Sequence, residues 1–314
     1  MLIRWGKSGV RSGRVDTFSP WKFWLAFLHA GQRVWHPEKD VMSSFNLTIR
    51  PKSGWQPLDL REAFLYRELL GFLIWRDVKI RYRQTALGGL WAILQPLIAM
   101  TIFTFVFHRL AGVHSDGPPY PLFAFAGLTP WTFFATAVNQ SSNSLISNQQ
   151  LVSKVYFPRI FIPLGAVGAL LLDMVLSLFL LLGLMIFYGW ALTWAVLWLP
   201  LFMLAAILSA SGIGLMLSAL NVNFRDVKYA VPFLIQMGIF VTPVIYPASY
   251  LSSKWRYILA LNPMTGVVEG FRHALLGSPI NWGSTGISLG VGALLFVAGL
   301  LVFRRLEARF ADVI

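Results

Sequence analysis

There is no cysteine in this sequence, which removes disulfides, thiolate metal sites and cysteine nucleophiles. Charge is scarce as well. Asp, Glu, Lys and Arg together make up 12% of the residues, where a soluble domain carries about 25%. Hydrophobic residues make up 56%, and mean hydropathy is +0.64. So few charges cannot solvate the surface of a 314-residue chain. The fold class is therefore an all-α integral membrane protein, not the two soluble domains that length alone would suggest. Signatures of chemistry are missing too. "WGKSG" at Trp5–Gly9 ends like a phosphate-binding loop, but the position five before Gly6 is Met1 where such a loop needs Gly. No His-Glu-x-x-His pair occurs. We therefore expect no catalytic residue, metal or cofactor in this chain.

What charge there is has one dominant sign. The net charge is +13, which in a soluble protein would suggest nucleic acid. Most basic residues precede Leu87, and the chain then runs without charge to Arg109. Basic clusters beside apolar spans follow the positive-inside rule, and no basic-aromatic recognition motif accompanies them. Membrane lipids, not nucleic acid, are the expected partner of this charge.

Residues 1–59 are polar, basic and broken by Gly and Pro, and read as a mostly disordered cytoplasmic arm. The stretch before Met42 has no pattern of its own, so Met42 is an alternative start. A full-length intact mass from the native promoter would rule that out. The apolar stretches 87–107, 121–138, 160–190, 194–220, 230–246 and 285–303 give about six spans at about 20 residues per hydrocarbon core. Thr129-Pro130 is expected to break the second. Small residues of the fourth (Ser209, Ala210, Ser211, Gly212, Gly214) permit close helix packing. Residues 257–276 carry Asn262-Pro263, Glu269, Arg272 and His273 and fit a re-entrant segment better than a lipid-facing span. Loop charge puts Lys154, Arg159, Arg225, Lys228, Arg304, Arg305 and Arg309 inside, so both termini are expected in the cytoplasm.

Asp173 interrupts the third span. A central Asp costs about 2.5–3.5 kcal/mol to insert, which the surrounding Leu, Val, Ile and Phe offset. Such an acid is either functional or bonded to a neighbouring helix, and the sequence shows no partner. Glu269 and Arg272 stand three apart, one face of a helix, where they can form an ion pair. His108 and His114 lack the company a metal needs and read as loop residues. The dense aromatics Phe103, Phe105, Phe107, Phe123, Phe125, Trp131, Phe133 and Phe134 read first as lipid-facing bulk or belts. Lining a path for sugars is the other possibility.

"WRDVKIRYRQTALGGLWAILQPL" at 75–97 resembles the start of the first span in type 2 ABC exporter permeases. The branch exporting O-antigen and other polysaccharides is the most similar. "LVSKVYFPRIFIPL" at 151–164, "NVNFRDVKYAVPFLIQMGIFVTPVIYP" at 221–247 and "LNPMTGVVEGFRHALLG" at 261–277 continue the match in order. It covers about 60–314, taken as the transmembrane domain, and leaves 1–59 aside. The resemblance implies a homodimer in the bacterial inner membrane, joined by two copies of a cytoplasmic ATP-binding subunit that holds the ATP and Mg. The implied cargo is a lipid-linked polysaccharide such as O-antigen, with capsular polysaccharide or teichoic acid as alternatives.

It also implies roles for particular positions. An interfacial helix would occupy 62–83 and a coupling helix about 145–159. The ATPase-facing residues would then be Arg76, Lys79, Arg81, Arg83, Gln150, Lys154, Tyr156 and Arg159. The first and fifth spans would line the channel, through Trp91, Gln95, Phe103, Phe233, Gln236 and Phe240. A re-entrant hairpin over about 248–277 would gate it, with Glu269 and Arg272 as the gate pair.

The residues themselves say less. Val78, Ile80 and Tyr82 alternate with Lys79, Arg81 and Arg83, a strand-like period. An unpaired strand edge beside a bilayer is unfavourable, so helix or turn is expected. A membrane-bound glycan or lipid transferase would need clustered acids or His at one face, and a secondary transporter an inverted repeat. Neither pattern is visible.

Overall fold

The computed structural model describes residues 66–83, 90–115, 117–154, 157–307 and 310. The basic arm, Met42, residues 62–65 and Tyr156 lie outside them. Every regular element among the described residues is helical, the arrangement that satisfies backbone hydrogen bonds within one segment where the bilayer supplies no water.

Helix α1 (Arg67–Arg83) comes first, so the alternation at Val78–Tyr82 is carried on a helix, not a strand. Helix α2 (Leu90–Phe103) ends in a π-helical turn, Thr104–Leu110. Then come α3 (Tyr120–Ser147), α4 (Gln149–Lys154), α5 (Phe161–Ala169) and α6 (Leu171–Phe187). They are followed by α7 (Leu199–Asn223), α8 (Val227–Val241), α9 (Ser253–Leu259), α10 (Pro263–Leu276) and α11 (Trp282–Glu307). Among the described residues, five segments are long and apolar enough to cross a membrane: Ile93–Leu110, Tyr120–Ser147, Phe161–Phe187, Trp194–Asn223 and Trp282–Glu307.

The fifth apolar stretch is shorter than its hydropathy suggests. Helix α8 stops at Val241, with Thr242 already extended. A residue before proline is pushed out of the helical region, and Pro243 has no N–H to continue the ladder. Fifteen residues reach about 22 Å at 1.5 Å each, below the roughly 30 Å of hydrocarbon.

The second stretch departs the other way. Helix α3 runs straight through Thr129-Pro130. Pro130 removes one ladder bond, but the hydroxyls of Thr129 and Thr132 donate to the carbonyls of Phe125 and Leu128 at 2.9 and 2.8 Å. Side-chain hydroxyls of this kind let membrane helices tolerate proline. The polar run Asn139–Ser147 belongs to the same helix. Asn221 of α7 donates to the Ser142 carbonyl at 2.8 Å and to Asn143 Oδ1 at 3.3 Å, tying the two helix ends together.

Helix α3 is the axis of the bundle: 78% of its span is buried, against 33% or less in the other four. Its aromatics Phe123, Phe125, Trp131, Phe133 and Phe134 are buried, which corrects the reading of them as lipid-facing bulk. Phe125 and Phe133 share a core with Phe202 of α7 and Phe271 of α10. A second cluster, at the end carrying Arg304 and Arg305, joins Leu73, Leu145, Val152, Phe161, Leu215 and Phe303.

Helices α7 and α11 cross at glycine. A Cβ on Gly299 would lie 2.1 Å from the Gly212 carbonyl oxygen, and one on Gly212 would lie 2.5 Å from the Phe296 backbone. Hydrocarbon tails are as apolar as leucine, so close backbone contact and van der Waals packing, not burial from water, hold such a pair. Gly299→Leu is expected to lower the thermal unfolding temperature in detergent, at a cost of about 1–3 kcal/mol. Gly286→Leu on the same helix, where a Cβ meets nothing within 4 Å, should leave it unchanged. Equal effects would contradict the crossing.

Candidate functional site

The lone acid of the third span has partners ninety-one and ninety-two positions earlier. Tyr82 donates its hydroxyl to Asp173 Oδ1, and Arg81 Nη2 lies 2.9 Å from Oδ2. Helix α1 reaches Asp173 by packing along α5, where Leu73 rests on Gly165 and Ile74 on Gly168. Larger residues at those glycines would push α1 away. Burial, and then the hydrogen bond to Asp173, hold the Tyr82 hydroxyl well above the ordinary tyrosine pKa. It therefore stays a proton donor across the physiological range. Arg81, expected at a cytoplasmic surface, is turned instead toward this acid.

Arg81, Tyr82 and Asp173 form one wall of a cavity of about 490 Å³. Trp91, Gln95 and Phe103 of α2 line it, with Leu128, Trp131, Thr132 and Thr136 of α3 opposite and Ser177 of α6 beyond Asp173. Three of the six expected channel residues thus come together. The other three, Phe233, Gln236 and Phe240, lie on an exposed face of α8. The cavity is apolar with a few hydroxyl and amide groups, the usual make-up of a small-molecule site.

The basic end carries the remaining expected contact residues. Gln150 and Lys154 are exposed on α4, which is anchored through buried Val152 in the cluster that also holds Leu73 of α1. On α1, Arg76, Lys79 and Arg83 surround a shallow pocket of about 220 Å³, with Arg76 paired to Asp77 at 2.8 Å. Arg159 is tied to the end of α11, its guanidinium donating to the Glu307 carbonyl at 3.0 Å.

At the far end, Arg272 is buried and its guanidinium is directed at backbone. It donates to the carbonyls of Pro243 at 2.6 Å, Val244 at 2.5 Å and Phe123 at 3.2 Å, and lies 3.5 Å from the centroid of the Phe123 ring. Gly127 makes the room, since a Cβ there would meet Arg272 Nη2 at 2.6 Å. The helix spacing suggested that Arg272 serves Glu269. Its donors are instead drawn to carbonyls freed where α8 stops. Burial pushes the Glu269 carboxyl up, and the charges of Arg272 and Arg256 pull it back.

Two motif-like features resolve as structure. His108 lies in the π-helical turn, not a loop, and stacks on Tyr120 with ring centroids 5.1 Å apart. Gly286-Ile287-Ser288-Leu289-Gly290 has the spacing of a nucleophile elbow, which requires a strand-to-helix turn. Here it lies inside α11. Ser288 bonds to the Asn262 carbonyl at 2.7 Å and accepts from the Gly266 N–H at 2.8 Å.

A family model described as ABC-2 type transporter matches residues 68–276, from α1 to the end of α10. The chain is 30% identical over 248 residues to the O-antigen export system permease protein RfbA of Klebsiella pneumoniae, covering 79% of this chain and 95% of that one. It is 34% identical over 215 residues to the protein of the same name from Myxococcus xanthus, with coverage of 68% and 82%. It is also 30% identical over 249 residues to the polysialic acid transport protein KpsM of Escherichia coli, with coverage of 75% and 92%.

The contacts at Asp173 are testable as a cycle. Asp173→Asn removes the counter-charge of Arg81, and Tyr82→Phe removes the donor; each should cost about 1–2 kcal/mol in detergent unfolding, a moderate figure for a half-exposed charged hydrogen bond. The double variant should lose less than the two single losses added together. Strict additivity would mean that the contact does not contribute.

Proposed function

The chain belongs to the ABC-2 type transporter family, and from that premise we propose that it is the membrane-spanning permease subunit of an ATP-driven polysaccharide exporter. The observation that carries the reading is the cavity beside Asp173, where aromatic rings and hydroxyl-bonding side chains alternate. Trp91 and Trp131 offer flat faces, and Gln95, Thr132, Thr136 and Ser177 offer hydrogen bonds. A sugar has the same two kinds of surface. The relatives are named for O-antigen and for polysialic acid. Polysaccharide is therefore the class, carried on a lipid, and the particular polymer depends on the residues along the path.

The path is completed by a second copy of the chain. Tyr229, Phe233, Leu234, Met237 and Phe240 leave an apolar face of α8 exposed, suited to a homodimer with the channel between its halves. The basic end faces the cytoplasm, which puts both termini there and the protein in the inner membrane. Helices α9 and α10 form the re-entrant hairpin at the outer face. ATP and Mg belong to two copies of a separate ATPase docked on Gln150, Lys154, Arg76, Lys79 and Arg83. Movement of that partner passes to α1 and, through Arg81 and Tyr82, to the span holding Asp173.

Deleting the gene in its native host should remove polysaccharide from the cell surface and leave lipid-linked glycan in the inner membrane, identified by mass spectrometry. Unchanged surface polysaccharide would defeat the reading. In the purified complex, Lys154→Glu should preserve folding while cutting export several-fold relative to ATP turnover. A variant that exports normally would remove Lys154 from the coupling surface.

A further inference from the structure

A second cavity, of about 320 Å³, lies at the far end of the bundle between α10 and the segments before α9 and after α10. Three buried polar atoms of its lining residues have no hydrogen-bond partner: Glu269 Oε2, Arg256 Nε and Ser278 Oγ. Buried polar groups in folded proteins are almost always bonded, and an orphan calls for an explanation. Three around one cavity call for a single occupant that answers them together.

Their chemistry narrows what that occupant is. Glu269 offers an acceptor, Arg256 a donor, and Ser278 either. An anion would be repelled by Glu269, and a metal cation by the two guanidinium groups. An apolar molecule would leave all three atoms unpaired. A neutral polyhydroxyl compound satisfies the set, because each hydroxyl both donates and accepts. The volume lies at the small end of ligand sites, which run from about 300 to 1,000 Å³, and suits one sugar unit better than a chain segment.

The wall of the cavity is fixed in advance. Arg272 is committed to the carbonyls of Phe123, Pro243 and Val244. The other side of α10 is wedged in place, Gly270 against the Phe202 ring and Gly266 against Ser288. Glu269 is thus presented on a helix that has no freedom to turn away. We propose that this cavity is a sugar-binding subsite at the outer end of the export path, in which Glu269, Arg256 and Ser278 hold one neutral residue of the polymer. This rests on the function proposed above and adds a site to it.

The test uses the complete complex in lipid nanodiscs. The probe is a fluorescently labelled oligosaccharide, released by mild acid from the surface polysaccharide of the native host. Glu269→Gln, which keeps the shape and removes the charge, should weaken binding about tenfold, as loss of a charged hydrogen bond does. Ser278→Ala should weaken it about threefold, and this small change guards against misfolding of the first variant. Unchanged ATP turnover in both confirms that the complex is intact. Equal affinity in wild type and variants means that the cavity holds only water, and overturns the site. Absence of binding by the wild type overturns it too. Neither result touches the permease reading, which is decided separately by the deletion phenotype.

Discussion

Hydrocarbon supplies no hydrogen bonds, so each polar atom within the bundle must find its partner inside the protein. The architecture follows that demand closely. Pro130 is tolerated because two threonine hydroxyls fill in around it. The ends of α3 and α7 are joined by Asn221. The early stop of α8 leaves carbonyls that Arg272 collects from across the bundle. Asp173, the most demanding group, draws a whole helix alongside its span to receive Arg81 and Tyr82.

These polar contacts work together with close packing. Gly165 and Gly168 let α1 lie near enough for its last turn to reach Asp173. Gly127 opens the space into which Arg272 extends. In each case a missing Cβ on one helix admits a charged side chain, or the helix carrying it, from another. Lipid tails cannot drive such association by themselves, so small residues and internal hydrogen bonds share the task. The result is a rigid central helix, α3, with a polar junction at either side: α1 against α6 beside one cavity, α10 against α3 beside the other.

Much of this was legible in the residues. Span positions follow from length and apolarity, and the small-residue stripe of α7 announced a close crossing that Gly212 and Gly299 make. The spacing of Glu269 and Arg272 rightly put both on one helix. What failed was anything that needed a neighbour's identity. Core and lipid-facing aromatics look alike in sequence, because both surroundings are apolar, so the burial of Phe125 and Phe133 was not visible. No local pattern links Asp173 to Tyr82, since the two are separated by 91 positions. The period-two run on α1 misled because it combined unrelated demands. Ile80 is exposed, while Tyr82 turns in toward the acid.

The exposed face of α8 carries the last step. Phe233, Gln236 and Phe240 are spaced by three and four, so they form one stripe along the helix, and all three are exposed. Phenylalanine alone would be content in lipid. Gln236 would not, because a carboxamide with no partner in hydrocarbon carries a heavy desolvation cost. A stripe with an amide between two rings is better matched to an aqueous, sugar-bearing path or to a second subunit than to acyl chains. It repeats the character of Trp91, Gln95 and Phe103 on α2, an amide framed by aromatic rings. Two helices with the same unusual pattern, one lining a cavity and one uncovered, are what half of a shared channel would present.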